Sequence, residues 1–121
     1  MDCLFCKIAN KEIPSYTIYE DDYVRCFLDI NPIENGHTLI VPKKHFTDFY
    51  DIDEEYLNKV FDAARIVAKT INEKLKPEGL RLTQNNGFIQ DVKHFHLHII
   101  PKYREDQSKL DVEEVFNRLT K

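Results

Sequence analysis

Nowhere in the chain does an apolar run approach the ~20 residues needed to cross a bilayer. Met1-Asp2-Cys3 lacks the basic start and apolar stretch of a secretory signal. A cytoplasmic protein that does not engage membranes is therefore expected. Positive charge is also short: 17 lysines and arginines stand against 21 acidic residues, net −4, and no Lys/Arg stripe interleaves with aromatics. That argues against nucleic acid as a bulk polyanionic partner. It leaves room for a small phosphorylated ligand, which local dipoles and imidazoles bind without global positive charge. Glycine is scarce, at three residues, and there are no Gly/Ser linkers, internal repeats or low-complexity segments. The 121 residues thus read as one domain over 1–121, with a core over 2–103 and a short helical tail over 108–120. Cysteine occurs three times, an odd number that argues against a disulfide framework in a reducing compartment.

The pattern of what is present alternates between strand and helix. Residues 4–10 predict a short amphipathic helix ended before Ile13-Pro14. Tyr16–Tyr19 and Tyr23–Leu28 read as strands joined by the acidic turn Glu20-Asp21-Asp22. A loop broken by Pro32 and Gly36 leads to a third strand, His37–Val41. Leu57, Val60, Phe61, Ala64, Val67, Ala68, Ile71 and Leu75 recur at three- and four-residue steps, which predicts a long helix capped by Asp53 and stopped at Lys76-Pro77-Glu78-Gly79. Leu80–Gln84 and His94–Ile100 complete five strands, with a turn at Asn85-Asn86-Gly87, and Leu110 to Leu119 make a terminal helix. Strands interrupted by one long helix point to an α+β domain with a mainly antiparallel sheet.

Chemistry concentrates in His94-Phe95-His96-Leu97-His98. A strand places alternate side chains on opposite faces, so the three imidazoles line one side. Histidine is suited to nucleophilic and proton-transfer work near neutral pH and is a common metal ligand. The bland alternative is a polar strand face that happens to carry histidine. Cys3 and Cys6 form a C-x-x-C pair, open at this level to a zinc site, a redox pair or two buried thiols. Cys26 alternates with Val24 and Leu28 and reads as a small core residue.

The run His94–Pro101 resembles the histidine-triad (HIT) family of nucleotide hydrolases and transferases, whose signature is His-φ-His-φ-His-φ-φ with φ apolar. The likeness continues through Asp2-Cys3-Leu4-Phe5-Cys6-Lys7-Ile8, Glu12-Ile13-Pro14, Tyr19-Glu20-Asp21-Asp22, Phe27-Leu28-Asp29-Ile30, Gly36-His37-Thr38-Leu39-Ile40-Val41-Pro42-Lys43-Lys44-His45 and Asn85-Asn86-Gly87. These blocks cover roughly residues 2–101 in order. They look most like the Hint-like branch in its bacterial, zinc-bearing form. The resemblance implies the HIT fold, a five-stranded antiparallel sheet with one long helix and short terminal helices, in homodimers whose two sheets run on across the interface.

It also implies a reaction. Such proteins cleave a purine nucleoside monophosphate, often AMP, from a leaving group on its α-phosphate, either as phosphoramidases or as dinucleoside polyphosphate hydrolases. By position His96 is the nucleophile that forms a covalent nucleotidyl-histidine. His98 and His37 donate to the non-bridging oxygens, and Asn85 stands on the phosphate side. Asp29 and Ile30 flank the ribose; Phe5, Ile8 and Phe27 wall the base pocket. Cys3, Cys6, His45 and His94 form a Cys₂His₂ set suited to one structural Zn²⁺ per chain. The loop before the triad departs from the family pattern: it is short, Ile89 replaces a glycine, and Asp91 stands where the Hint-like pattern can carry a serine that assists the leaving group. A carboxylate there repels a phosphodiester unless it is protonated or turned away.

Two rivals compete with this reading. One is a non-catalytic nucleotide-binding or scaffold protein with the same fold, and the other has His94 and His96 holding an open catalytic metal. The sequence does not separate phosphoramidates, dinucleoside polyphosphates, adenylyl sulfates and aminoacyl adenylates, nor adenine from guanine, because all present the same phosphorus.

Overall fold

In the computed structural model, which describes residues 3–121, the two strands of the acidic turn form a hairpin. Strands β1 (Thr17–Glu20) and β2 (Val24–Leu28) pair antiparallel. Asp21 Oδ1 accepts from the amides of Tyr23 and Val24 at 2.8 and 3.0 Å, which closes the turn with a side chain. Strand β3 (Thr38–Pro42) pairs with β2, β5 (Leu97–Lys102) with β3, and β4 (Gly79–Thr83) with β5, all antiparallel, giving the order β1-β2-β3-β5-β4. The expected α+β architecture, a five-stranded antiparallel sheet with helices, is the one observed. Met1 and Asp2, where the expected domain and the first resembling block begin, lie outside the described residues. Among the described residues no helix is long and apolar enough to cross a membrane.

Every residue of β2 and β3 is buried because both faces of the sheet are covered. On one face Val24, Cys26, Leu28 and Ile40 pack against α2 (Glu54–Leu75) and against Val115 and Leu119 of α3 (Val112–Thr120). On the other, Phe27, Leu39 and Val41 pack under the short helix α1 (Leu4–Ala9) through Phe5, Ile8 and Ala9. Asp53 caps α2, its carboxylate accepting from Tyr56 N–H at 2.9 Å, with Glu54 and Glu55 in the first turn where the helix dipole favours them.

Three local expectations are corrected. The buried stripe of α2 is Val60, Ala63, Ala64, Val67 and Ile71, whereas Phe61 is 46% exposed. Phe61 follows Val60 by about 100° around the helix and faces away from the sheet. Strand β4 begins at Gly79 and ends at Thr83, one residue earlier than predicted. The last strand starts at Leu97, not His94, because β3 ends at Pro42 and Phe95 N–H donates instead to Phe46 O at 2.7 Å. His94, in a bend, and His96 therefore precede the ladder.

Candidate active site and metal centre

The histidines of the site are fixed by backbone partners that also dictate their protons. His96 is 1% exposed, and its Nδ1 lies 2.8 Å from the carbonyl oxygen of His94. A carbonyl only accepts, so Nδ1 carries the hydrogen and Nε2 of the neutral ring keeps its lone pair. His37 Nδ1 accepts from Ile33 N–H at 3.1 Å, which places the His37 hydrogen on Nε2. That atom lies 2.9 Å from His98 Nδ1 and donates to it, leaving Nε2–H of His98 as the outward donor. The expectation that both His37 and His98 donate to phosphate is thereby refined: the single proton of neutral His37 is spent on His98. Burial pushes His37 below the ordinary histidine range, and burial with the neighbouring His96 and His37 takes His98 down to about 4, so these two rings stay neutral at pH 7.

This has a consequence for stability. A group whose folded value lies below its unfolded value of about 6.5 binds more protons when unfolded, so stability rises with pH through that window. Metal-free protein is therefore expected to lose stability as pH falls from about 6.5 to about 4. Urea midpoints measured across that range should fall less steeply in His98→Gln.

His37 is placed by the loop that precedes it. Asp29 N–H donates to His37 O at 3.0 Å and His37 N–H to Glu34 O at 3.1 Å. Gly36 adopts φ +94°, and a Cβ there would stand 2.8 Å from Leu75 Cδ1, so the position requires glycine. Buried Asn35 fastens the loop to the C-terminal segment: Nδ2 donates to Ser108 O at 2.9 Å and Oδ1 accepts from Leu110 N–H at 3.0 Å.

A cavity of about 310 Å³ opens beside these rings. Phe5, Ile8 and Phe27 form its apolar walls, Asp29 and Ile30 stand at one side, and His96, His98 and Asp91 at the other. All of these were candidate site residues, and the fold brings them together. Asp29 is oriented by Asn31 N–H, which donates to Oδ1 at 2.8 Å, while Oδ2 lies 3.7 Å from His37 Nε2. Asn85 does not line the cavity; it is half-buried and lies two residues beyond Thr83, the last residue of β4, which pairs with His98. Ile13, Pro14 and Ser15 also line the cavity. The block Glu12-Ile13-Pro14 carried that signal, but Ile13 and Pro14 are apolar side chains with no chemistry of their own.

The first histidine belongs elsewhere. His94 Nδ1 lies 3.3 Å from Cys3 Sγ and 3.4 Å from Cys6 Sγ, and His45 Nδ1 lies 3.2 Å from Cys6 Sγ. The four ligand atoms all fall within 4.8 Å of one another. A tetrahedral zinc with ordinary bond lengths sets sulfur and nitrogen about 3.5 Å apart, so the cluster fits the ion. His94 Nε2 lies 2.9 Å from Pro42 O and donates to it, which frees the Nδ1 lone pair for a metal, the usual outer-shell arrangement for a ligating imidazole. Burial and the neighbouring Cys3 push the Cys6 thiol up to about 11, the penalty a bound cation would reverse. With both His94 nitrogens so engaged, none is left to share an open metal with His96. Asp29, His37 and His98 also cluster, but a metal on His37 Nε2 would need the lone pair that the Ile33 bond has placed on Nδ1.

The HIT domain family pattern matches residues 10–105. The chain is 45% identical over 120 residues to an uncharacterized HIT-like protein of Methanocaldococcus jannaschii, covering 95% of this chain and 90% of that one. It is 43% identical over 112 residues to adenosine 5'-monophosphoramidase HNT1 of Saccharomyces cerevisiae, covering 91% of this chain and 68% of the yeast protein. Among solved structures, a Zn-bound histidine triad family protein from Mycobacterium smegmatis superposes with a TM-score of 0.91 at 33% identity, covering 99% of this chain and 91% of that one.

Proposed function

Because this chain belongs to the histidine-triad family, we propose that it is a nucleotide hydrolase that releases a purine nucleoside monophosphate, AMP by preference, through a covalent bond to His96. The observation that carries the reading is the hydrogen bond from His96 Nδ1 to His94 O at 2.8 Å, which presents the unprotonated Nε2 beside a cavity of nucleoside size. The base lies between Phe5, Ile8 and Phe27 with Ile30 at the mouth, and Asp29 accepts from the ribose hydroxyls.

His96 Nε2 attacks the α-phosphorus, and the bond to the leaving group breaks with its electron pair on that group. Nδ1 keeps its proton on the His94 carbonyl, which stabilises the positive charge of the nucleotidyl-imidazole. His98 Nε2–H donates to a non-bridging oxygen, and His37 holds His98 in the donating tautomer. Asn85 adds an amide on the phosphate side. Water then attacks phosphorus and gives up a proton to solvent, the P–N bond breaks with its electron pair returning to Nε2, and AMP departs. No step passes through a metal. Zinc at Cys3, Cys6, His45 and His94 has a structural role: it ties α1 to the segment that carries His96.

The chain acts as one cytoplasmic HIT domain and as a homodimer. Support for the dimer comes from β4, an edge strand whose Leu80 and Leu82 are 44% and 48% exposed, and from the exposed Phe61 and Ile66 of α2. The test of the activity is AMP release from an AMP amide by chelator-treated protein. We expect a rapid first release of amine and a chain heavier by one AMP moiety in an acid-free mass spectrum. Tight AMP binding with neither signal would make the protein a binder or scaffold.

A further inference from the structure

A second hollow adjoins the nucleoside cavity. It is lined by Cys3, His45, Thr47 and Lys93, and it shares Leu4, Asp91 and Val92 with the first cavity. The two spaces therefore meet at Asp91, whose Oδ1 lies 3.4 Å from His96 Nε2, the atom at which bonds to phosphorus form and break. Asp91 is thus the side chain, shared by both spaces, that stands beside the nitrogen offered by His96.

The carboxylate is aimed. Val92 N–H donates to the same Oδ1 at 2.9 Å, holding it toward His96, while the side chain stays 79% exposed and open to a solute. The nearby cation does not neutralise it by a direct bond: Lys93 Nζ donates to Gly87 O at 2.7 Å and Gln90 O at 3.0 Å, turned into its own loop. The passage from the phosphate to the second hollow thus carries a carboxylate held by one backbone amide.

We propose that this hollow is a leaving-group subsite in which Asp91 selects amines bearing a further protonated nitrogen, that is, diamine or polyamine conjugates of a nucleotide, over neutral amines and over anionic groups such as a second nucleotide. The inference rests on the hydrolase reading and narrows its substrate class. In the reaction the P–N bond breaks, its electron pair stays on nitrogen, and that nitrogen takes a proton from water. The remote ammonium does not take part in bond making; it lies against Asp91 and offsets the repulsion between that carboxylate and the phosphate while His96 Nε2 bonds to phosphorus. An anionic leaving group meets the same carboxylate as a like charge.

The experiment compares two AMP amides of matched length, one from ethylenediamine and one from propylamine, as the ratio of their kcat/KM values. Wild-type protein should favour the diamine conjugate by about fivefold in low salt, because an exposed pair is worth little, and the preference should shrink as salt screens it. In Asp91→Asn and Asp91→Ser the ratio should fall to about one whatever the absolute rates, and the relative rate on diadenosine polyphosphates should rise. A wild-type ratio near one, or a ratio that survives both substitutions, overturns the proposal. So does an equal loss on both amides with the ratio kept, which would make Asp91 a proton donor rather than a selector. Cleavage of neither amide by wild-type protein is a different failure: it overturns the hydrolase reading and this inference with it.

Discussion

Asparagine in place of His96 is expected to lower kcat on an AMP amide by on the order of 10⁴-fold or more, while AMP binds within about threefold of its wild-type affinity. The split follows from where the ring sits. Its Nε2 is the atom offered to phosphorus, and its Nδ1 hydrogen bond to His94 O holds the ring at that angle. In the proposed binding mode nucleoside affinity comes from elsewhere, from the walls of Phe5, Ile8 and Phe27 and from Asp29. The imidazole also packs edge-on against Phe5, with ring centroids 4.9 Å apart, so the smaller side chain costs about 1–2 kcal/mol of stability. A melting curve and an AMP titration run beside the kinetics separate that cost from the chemistry. Turnover near the wild-type rate in a folded His96→Asn protein would mean that the nucleophile is another group.

The elements that were legible in the sequence are those whose pattern is repeated. The runs Tyr23–Leu28 and His37–Val41 marked two central strands to within one residue, and the three- and four-residue steps from Leu57 to Leu75 marked the helix that covers them. Boundaries were less legible because they depend on partners distant in sequence. No local rule ends the ladder at Leu97; the competing bond from Phe95 N–H to Phe46 O does, and residue 46 lies far along the chain. Phe61 looks like a core residue by type, yet the helix turns it outward.

The site divides in the same way. Side chains with chemistry of their own, the histidines, cysteines and Asp29, stand in recognisable blocks, and the fold gathers them into one cavity and one Cys₂His₂ cluster. What no residue type reveals is the backbone: the carbonyls of His94 and Pro42 and the amide of Ile33 choose the tautomers that leave a lone pair on His96 Nε2 and on His94 Nδ1 and put the His37 hydrogen on Nε2. Asn35 was unreadable for a related reason. Its three-way tie to the C-terminal segment exists only once residues 103–110 have folded back on the loop before His37.

Removal of zinc should cost the protein stability before it costs chemistry. Purified protein is expected to carry about one zinc per chain, with Cys3 and Cys6 shielded from alkylation until a chelator is added. The ion would join α1, through Cys3 and Cys6, to His45 and His94, which lie well apart in the sequence. The sheet and α2 keep their own core without it, so the chain should not unfold outright as a zinc finger does. A loss of several kcal/mol, or roughly 10–20 °C in Tm, is the scale expected for a tightly held structural metal in a domain of this size. Activity should then respond indirectly. His94 O orients His96, so freeing the His94 ring loosens the nucleophile, and kcat should fall a few-fold well below the metal-free Tm while the KM for the AMP amide changes little. Cys3→Ser should reproduce both effects without a chelator. A metal-free protein with an unchanged Tm and freely reactive Cys3 and Cys6 would show that the four side chains meet without holding an ion.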